Sequence, residues 1–279
     1  MRPFLDRAPA GRGFHASRPL SRTTFVFAVL ITLAFFTGRG SAEPTFRDLV
    51  KKLPKATNAV MILNIEKIKT CPMAVAENWA ENPQKSFEAG LTKIPPHATQ
   101  FIVGSELDFE FMTPIYETAI VELDMRPSLD KIAEIHGATK DKLDGYNALM
   151  LPQDAFLIQF DPKTLGVMRP ANRQAVLRWL KSMDLAAGPQ LSPYILQAAG
   201  YSDDAGSEII MAVDLAGAFS WERGAKYVNR KKDLLDKHGI DVKDAANLMA
   251  TLKGLRMGVR LNENPIGKIS IDFGEAVKR

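Results

Sequence analysis

Four residues close apolar runs and could do chemistry together: Asn64 after AVMIL, Asp124 after AIVEL, Asp161 after FLIQF and Asp214 after IIMAV. Carboxylates and amides at the ends of neighbouring strands can converge on one point, where they would hold a divalent cation or share general acid and base roles. On that reading Asp124, Asp161 and Asp214 are the candidate catalytic residues of a hydrolase or metal-dependent enzyme. The competing role is local. Asx side chains are preferred caps of helix starts and turns, because their oxygens accept hydrogen bonds from backbone N–H groups left free there. Capping is the expected role for all four. Asp272 belongs to an alternating stretch, KISIDF, whose pattern places it on a solvent face.

The remaining reactive side chains form no recognisable set. His97, His136 and His238 each stand alone, without an HExxH or CxxC neighbour, whereas a zinc site needs three or four converging ligands. His97 follows Pro95-Pro96 in a loop, and His136 and His238 end predicted helices, where an imidazolium suits the helix dipole. Ser105 in VGSEL lacks the second glycine of a nucleophile elbow. Cys71 has no recognisable partner and reads as a small half-buried residue at a helix start. Neither GxGxxG nor GxxxxGK[ST] occurs, so no nucleotide cradle and no cofactor is expected. Asn262, Asn264 and Gly267 match three positions of a calcium loop, but Ile266 and Phe273 stand where oxygen ligands are needed, so no metal site is expected either. Arg223, Lys226, Arg230 and Lys237 share a predicted helix face. Asp233 interrupts it, which favours a solvated surface over a patch for an acidic envelope partner.

The elements that position these residues follow from periodicity. Residues 45–53 carry Thr45 and Asp48 at capping-box spacing, with Phe46, Leu49, Val50 and Leu53 on one stripe. Residues 58–64 are apolar without alternation, as in a central strand covered on both faces. Pro72 opens a helix in which Val75 and Trp79 would stack. Residues 99–107 and 115–124 predict a hairpin, 128–136 a helix stopped by Gly137, and 146–151 with 155–160 a second hairpin after the Asp144-Gly145 turn. A helix follows Pro170 to about Met183, then a short helix over 191–199, a polar loop over 200–206 and a strand over 209–213. A long helix over 218–238 ends at Gly239, Asp241 caps another, and 255–261 with 268–273 predict a half-buried hairpin. Trp79, Trp179 and Trp221 are expected in the core or half-buried. The fold class is α+β: a mainly antiparallel, mixed sheet with helices packed on one face, built of two related strand-helix halves over 43–165 and 166–279.

The first 42 residues stand apart. Arginines precede the apolar run FVFAVLITLAFF over 25–36, and TGRGSA follows, the layout of a signal peptide cut after Ala42. The alternative is an uncleaved anchor, but the run falls short of the ~20 residues that span a bilayer. With six arginines and one aspartate removed from 36 basic and 32 acidic residues, the exported domain over 43–279 has 30 basic and 31 acidic residues. Its net charge of −1 excludes a nucleic-acid reading based on the basic precursor. One cysteine allows no internal disulfide, so the domain must stand on its core.

NAVMILNIEKI, CPMAVAENWAE, LSPYILQAA and SEIIMAVDL together resemble a group of uncharacterised exported proteins of planctomycete bacteria. The resemblance covers most of the chain after residue 42. It implies export and a fold, and transfers no activity and no site. Similar chains run on past the strand matched by residues 268–273, so this chain is expected to be short. The expected function is that of an exported cell-envelope protein, periplasmic or extracellular. It would act as a non-catalytic binding or structural module on an envelope partner or ligand, with no membrane span after signal cleavage. The alternatives are the strand-end enzyme above and a lipid or small-ligand carrier, which would need an apolar cavity of roughly 300 Å³ between sheet and helices.

Overall fold

The computed structural model describes residues 44–79, 94–111, 113–184, 191–205 and 207–275. The expected signal peptide and its alternative, the anchor, lie outside them. The described chain opens with α1 (Phe46–Val50), where Asp48 N donates to Thr45 Oγ1 and Thr45 N to Asp48 Oδ2, each at 3.3 Å, completing the expected capping box. Strand β1 (Ala59–Asn64) runs into α2 (Ile65–Thr70) and α3 (Pro72–Ala76). The hairpin of β2 (Ala98–Asp108) and β3 (Thr113–Leu123) leads to α4 (Leu129–His136). A meander of β4 (Thr139–Leu143), β5 (Tyr146–Leu151), β6 (Ala155–Gln159) and β7 (Thr164–Arg169) precedes α5 (Arg173–Asp184) and α6 (Pro193–Ala205). Next come β8 (Ile209–Asp214), α7 (Trp221–Asn229), α8 (Lys232–Lys237), α9 (Val242–Ala250), β9 (Leu252–Arg260) and β10 (Ile266–Phe273).

These strands form one ten-stranded sheet in the order β10-β9-β8-β1-β2-β3-β7-β6-β5-β4, and every pairing is antiparallel. The protein is α+β, as expected. β1 is an interior strand between β2 and β8. The division at 165/166 falls inside β7, and both sides of it share the one sheet. Among the described residues no helix is long and apolar enough to cross a membrane.

Helices cover both faces, where the sequence predicted one. On the first face Leu49 and Leu53, Val176 and Leu180 of α5, and Ile195 and Ala198 of α6 pack on Ile62, Ile102, Ile120, Ile158 and Ile210. On the second, Ile65 at the start of α2 and Ile132 and Ala133 of α4 pack on Leu63, Phe101, Val121, Leu149, Leu157 and Val167. The physical reason is in the strands themselves. β1, β3, β6 and β7 are apolar at successive positions, so both faces must leave water, and each fully buried Leu or Ile contributes about 1.5–3 kcal/mol. Ile135 is exposed, and the small Ala133 lies against the sheet beside Ile132.

Four further departures have local causes. Asp144 and Gly145 take positive φ of 50° and 86°, and the turn pairs β5 with β4, a strand the charged TKDKL did not suggest. Such composition is what an edge strand uses to discourage pairing with other chains. Helix α6 runs on through the expected loop to Ala205, and Tyr201 packs on the core. The long helix over 218–238 is instead α7 and α8, with Ser220 as N-cap of α7 and Lys231 outside the helical region at φ −115°, ψ 17°. α7 packs on α9, each nine residues long, so tertiary support ends where α7 does. Val75 and Trp79 are exposed rather than stacked in a core, because α3 ends at Ala76. Trp179 is buried as expected.

The terminal hairpin is inverted relative to its predicted burial except at Val259 and Leu261, which pack with Cys71 and Ala74. Register carries Ile210 to Gly258 and Ala212 to Arg256, and Arg256 to Ser270 and Gly254 to Asp272, so the covered face holds the polar set. Tyr194 of α6 lies over Gly254, where an added Cβ would overlap its ring. The Arg256 guanidinium lies 5.8 and 5.5 Å from the Tyr194 and Tyr201 ring centroids. Leu255, Ile269, Ile271 and Phe273 consequently face out. α6 must cover Ile210 and Ala212, and the pleat then fixes which side of β9 and β10 lies beneath it.

Candidate functional site

Each strand-end residue is held by its own neighbourhood. Asn64 caps α2, its Oδ1 accepting from Lys67 N at 3.0 Å. Asp214 accepts from Ala216 N at 2.9 Å and turns the chain after β8. Asp124 follows β3, where its N–H donates to His97 O at 2.9 Å and its Oδ1 lies 3.1 Å from His97 Nδ1. Lys69 braces the same loop by donating to Pro96 O and Ala98 O at 2.9 and 3.0 Å; burial holds its ammonium below the ordinary range, partly offset by Asp124 and Glu66.

Asp161 has the richest surroundings. Its Oδ1 accepts from Lys163 N and Thr164 N at 3.0 and 2.8 Å, closing the β6–β7 turn. The Thr164 hydroxyl lies 2.5 Å from Asp161 Oδ2 and 2.6 Å from Glu122 Oε2, and Lys52 Nζ lies 3.6 Å from Asp161. A hydroxyl has one proton to donate, so both short contacts are hydrogen bonds only when one carboxyl carries its own proton. Of the two, Glu122 keeps its proton to higher pH: burial pushes it up, while burial of Asp161 is outweighed by its hydrogen bonds to Thr164 and Lys163 and by Lys52, which bring it down. Glu122 and Thr164 lie 42 residues apart, and they meet, with Glu122 buried, because β7 pairs beside β3.

The candidate catalytic acids therefore do not share a point. Asp161 and Asp124 follow strands at the end of the sheet where β1 closes, whereas Asp214 N bonds to Asn58 O, at 2.7 Å, at the end where β1 opens. Among the described residues no three His, Cys, Asp or Glu side chains group as a metal would need. Cys71 is buried and caps α3, its Sγ accepting from Ala74 N at 3.4 Å. Ser105 donates to Tyr116 O at 2.8 Å. Asp272, expected on a solvent face, instead accepts from Tyr194 Oη at 2.8 Å beneath α6, with Arg256 at 3.6 Å. Of the predicted basic face, Arg223 pairs with Glu110 at 3.3 Å.

A cleft of about 350 Å³ lies on the first face among the described residues, between α5 and the 54–56 loop. Pro54, Ala56, Ile115, Met168, Pro170, Ala175 and Trp179 give it apolar walls, with Tyr116 and Glu106 on its strand side and Lys55 and Arg178 exposed at its rim. Tyr116 is pushed up to about 12, chiefly by burial, and its hydroxyl lies 3.4 Å from Thr57 Oγ1, so it presents a neutral phenol. Burial raises Glu106 as well. Trp179 is fixed by donating Nε1–H to Lys52 O at 2.6 Å and by an edge-on Phe160 ring at 5.2 Å. No sequence motif marked this cleft, since its walls come from four separate segments. A second cleft of about 690 Å³, between α4 and the β4–β5 edge, has a mixed lining and holds the Lys140–Asp130 ion pair at 2.9 Å.

No protein-family model and no curated protein sequence matches the chain. Among solved structures the chain is similar to TP0453. Crystal form I of that protein is 10% identical with a TM-score of 0.43, over 83% of this chain and 81% of the other. Crystal form III is 13% identical with a TM-score of 0.44, over 83% and 82%. Likeness of this grade transfers no residue role.

Proposed function

We propose that the protein is an exported, non-catalytic binding module of the cell envelope that holds an apolar ligand in the cleft beneath α5. The cleft carries the proposal. It is concave, its apolar walls are anchored on the sheet and on a buried Trp179, and its volume exceeds the roughly 300 Å³ at which small-molecule pockets begin. The separation of Asp124 and Asp161 from Asp214, the local turn bonds of Asp161 and Asp214, and the His97 contact of Asp124 favour binding over strand-end catalysis. Export is supported by the layout of the first 42 residues and by the resemblance to exported proteins.

Fluorescence titration with 1-N-phenylnaphthylamine, followed by displacement with dodecanoate, tests the site. The expected result is saturable binding that Ala175→Phe, which fills the cleft from α5, weakens at least tenfold. Ala56→Phe, which fills it from the loop, should do the same. Circular dichroism checks that both variants fold. Unchanged binding in both folded variants would remove the cleft from the account. N-terminal sequencing of the protein recovered from an expressing cell tests export: a start at Glu43 is expected, and an intact Met1 in the membrane fraction would contradict it.

A further inference from the structure

The sheet has two edges of opposite character. β4 is charged along its length, and Lys140 and Asp141 are already paired with Asp130 and Arg173. Among the described residues β10 has no strand on its outer side, and it exposes Ile269 (64%), Ile271 (53%) and Phe273 (45%) on one face. These side chains continue a row across the sheet, because Met211 pairs with Met257 and Met257 with Ile269, while Val213 pairs with Leu255 and Leu255 with Ile271. An open edge flanked by exposed apolar side chains is a template for another strand.

We propose that β10 pairs antiparallel with β10 of a second copy of this chain, about a two-fold axis at Ser270. The sequence of β10 is complementary to itself in that register. Ser270 meets its own copy, Ile269 faces Ile271 on the apolar side, and Lys268 faces Asp272 on the other, twice by symmetry. Gly267 falls opposite Phe273, leaving room for the ring. Shifting the centre to Ile269 sets Asp272 against Ile266, and shifting it to Ile271 sets Lys268 against Gly274; both leave the charges unpaired. A shift by one residue in the pairing sum would set apolar against polar side chains on each face. Lys268 is exposed, and Asp272, although bonded to Tyr194, keeps part of its surface open to a second cation. The pairing satisfies the outer backbone groups of β10 and brings the two apolar rows into lateral contact.

Sedimentation equilibrium of the protein expressed from the 279-residue chain should give a dimer at micromolar concentration. Ser270→Cys should form a covalent dimer with oxidised glutathione, since opposed side chains in such a pair lie about 4.5–5.5 Å apart. Lys268→Cys should not, because its copy lies about 13 Å along the partner strand. The native Cys71 is buried and does not interfere. Lys268→Asp sets two pairs of like charges opposite each other and should raise the dissociation constant at least about tenfold, with an unchanged circular dichroism spectrum. A monomer throughout, equal cross-linking at 268 and 270, or a Lys268→Asp variant that dimerises as well as the native chain would each overturn the proposal.

Discussion

The cleft beneath α5 and the row on β8–β10 are both apolar surfaces open to water, and they differ in shape and support. The cleft is concave, with Trp179 buried at its back and sheet side chains along one wall. The row lies at an edge, and among the described residues no helix covers Ile269, Ile271 or Phe273. A concave site removes most of a small molecule's surface from water, whereas a row along an open sheet edge suits another extended strand. On the two proposals, one fold separates ligand binding from chain association by which strands the helices reach.

The largest expected contrast is in stability. Trp179→Ala removes a buried ring, its bond to Lys52 O and its edge contact with Phe160, and should cost about 3–5 kcal/mol in urea denaturation. Ile271→Ala on the row should change monomer stability by no more than about 0.5 kcal/mol. Similar losses at both sites would mean that the row is covered within the monomer, and the distinction would collapse.

Glycines beneath the aromatic rings sharpen the comparison. A Cβ on Gly166 would overlap the Phe160 ring and approach Trp179 to 2.9 Å, and one on Gly254 would overlap Tyr194. Gly166→Ala and Gly254→Ala should each cost about 1–3 kcal/mol by overpacking. If only Gly166→Ala is destabilising, the helix side of the terminal hairpin is looser than its register implies.

Acid titration probes the buried carboxyl on the same covered face. Burial raises Glu122 above its ordinary 4.5, so between 4.5 and the folded-state value the folded chain keeps a proton that the unfolded chain has lost. Stability attributable to Glu122 is thus full below pH 4.5 and declines as the pH rises through the folded-state value. Glu122→Gln keeps a donor for Thr164 and removes that decline. The variant should be more stable than the native protein at pH 7 and no more stable at pH 4, measured by denaturation midpoint. At the charged β4 edge, Arg173→Gln removes an exposed pair with Asp141 and should cost about 1 kcal/mol or less.

Much of the fold was legible because its signals were local. The Thr45–Asp48 box, the Ser128 cap with Gly137, the Asp241 cap and the β5–β6 hairpin rest on residues within a few positions of one another. The covered side of β9 and β10 was not legible. Their alternation shows that two faces differ, but pairing with β8 and the position of α6 decide which face is dry. β4 was hidden by the same charge that protects an edge. At the level of sites, the capping roles of Asn64, Asp161 and Asp214 followed from residue type. The cleft and the Glu122–Thr164–Asp161 cluster had no sequence signature, because each joins segments that meet only once β7 lies beside β3.

Methyl-resolved NMR during a dodecanoate titration compares the two apolar surfaces in one experiment and tests the binding account most directly. The account predicts saturable shifts at Ile115, Met168 and Ala175 in the cleft, with Met211, Ile269 and Ile271 unmoved. Shifts confined to Met211, Ile269 and Ile271 would contradict it.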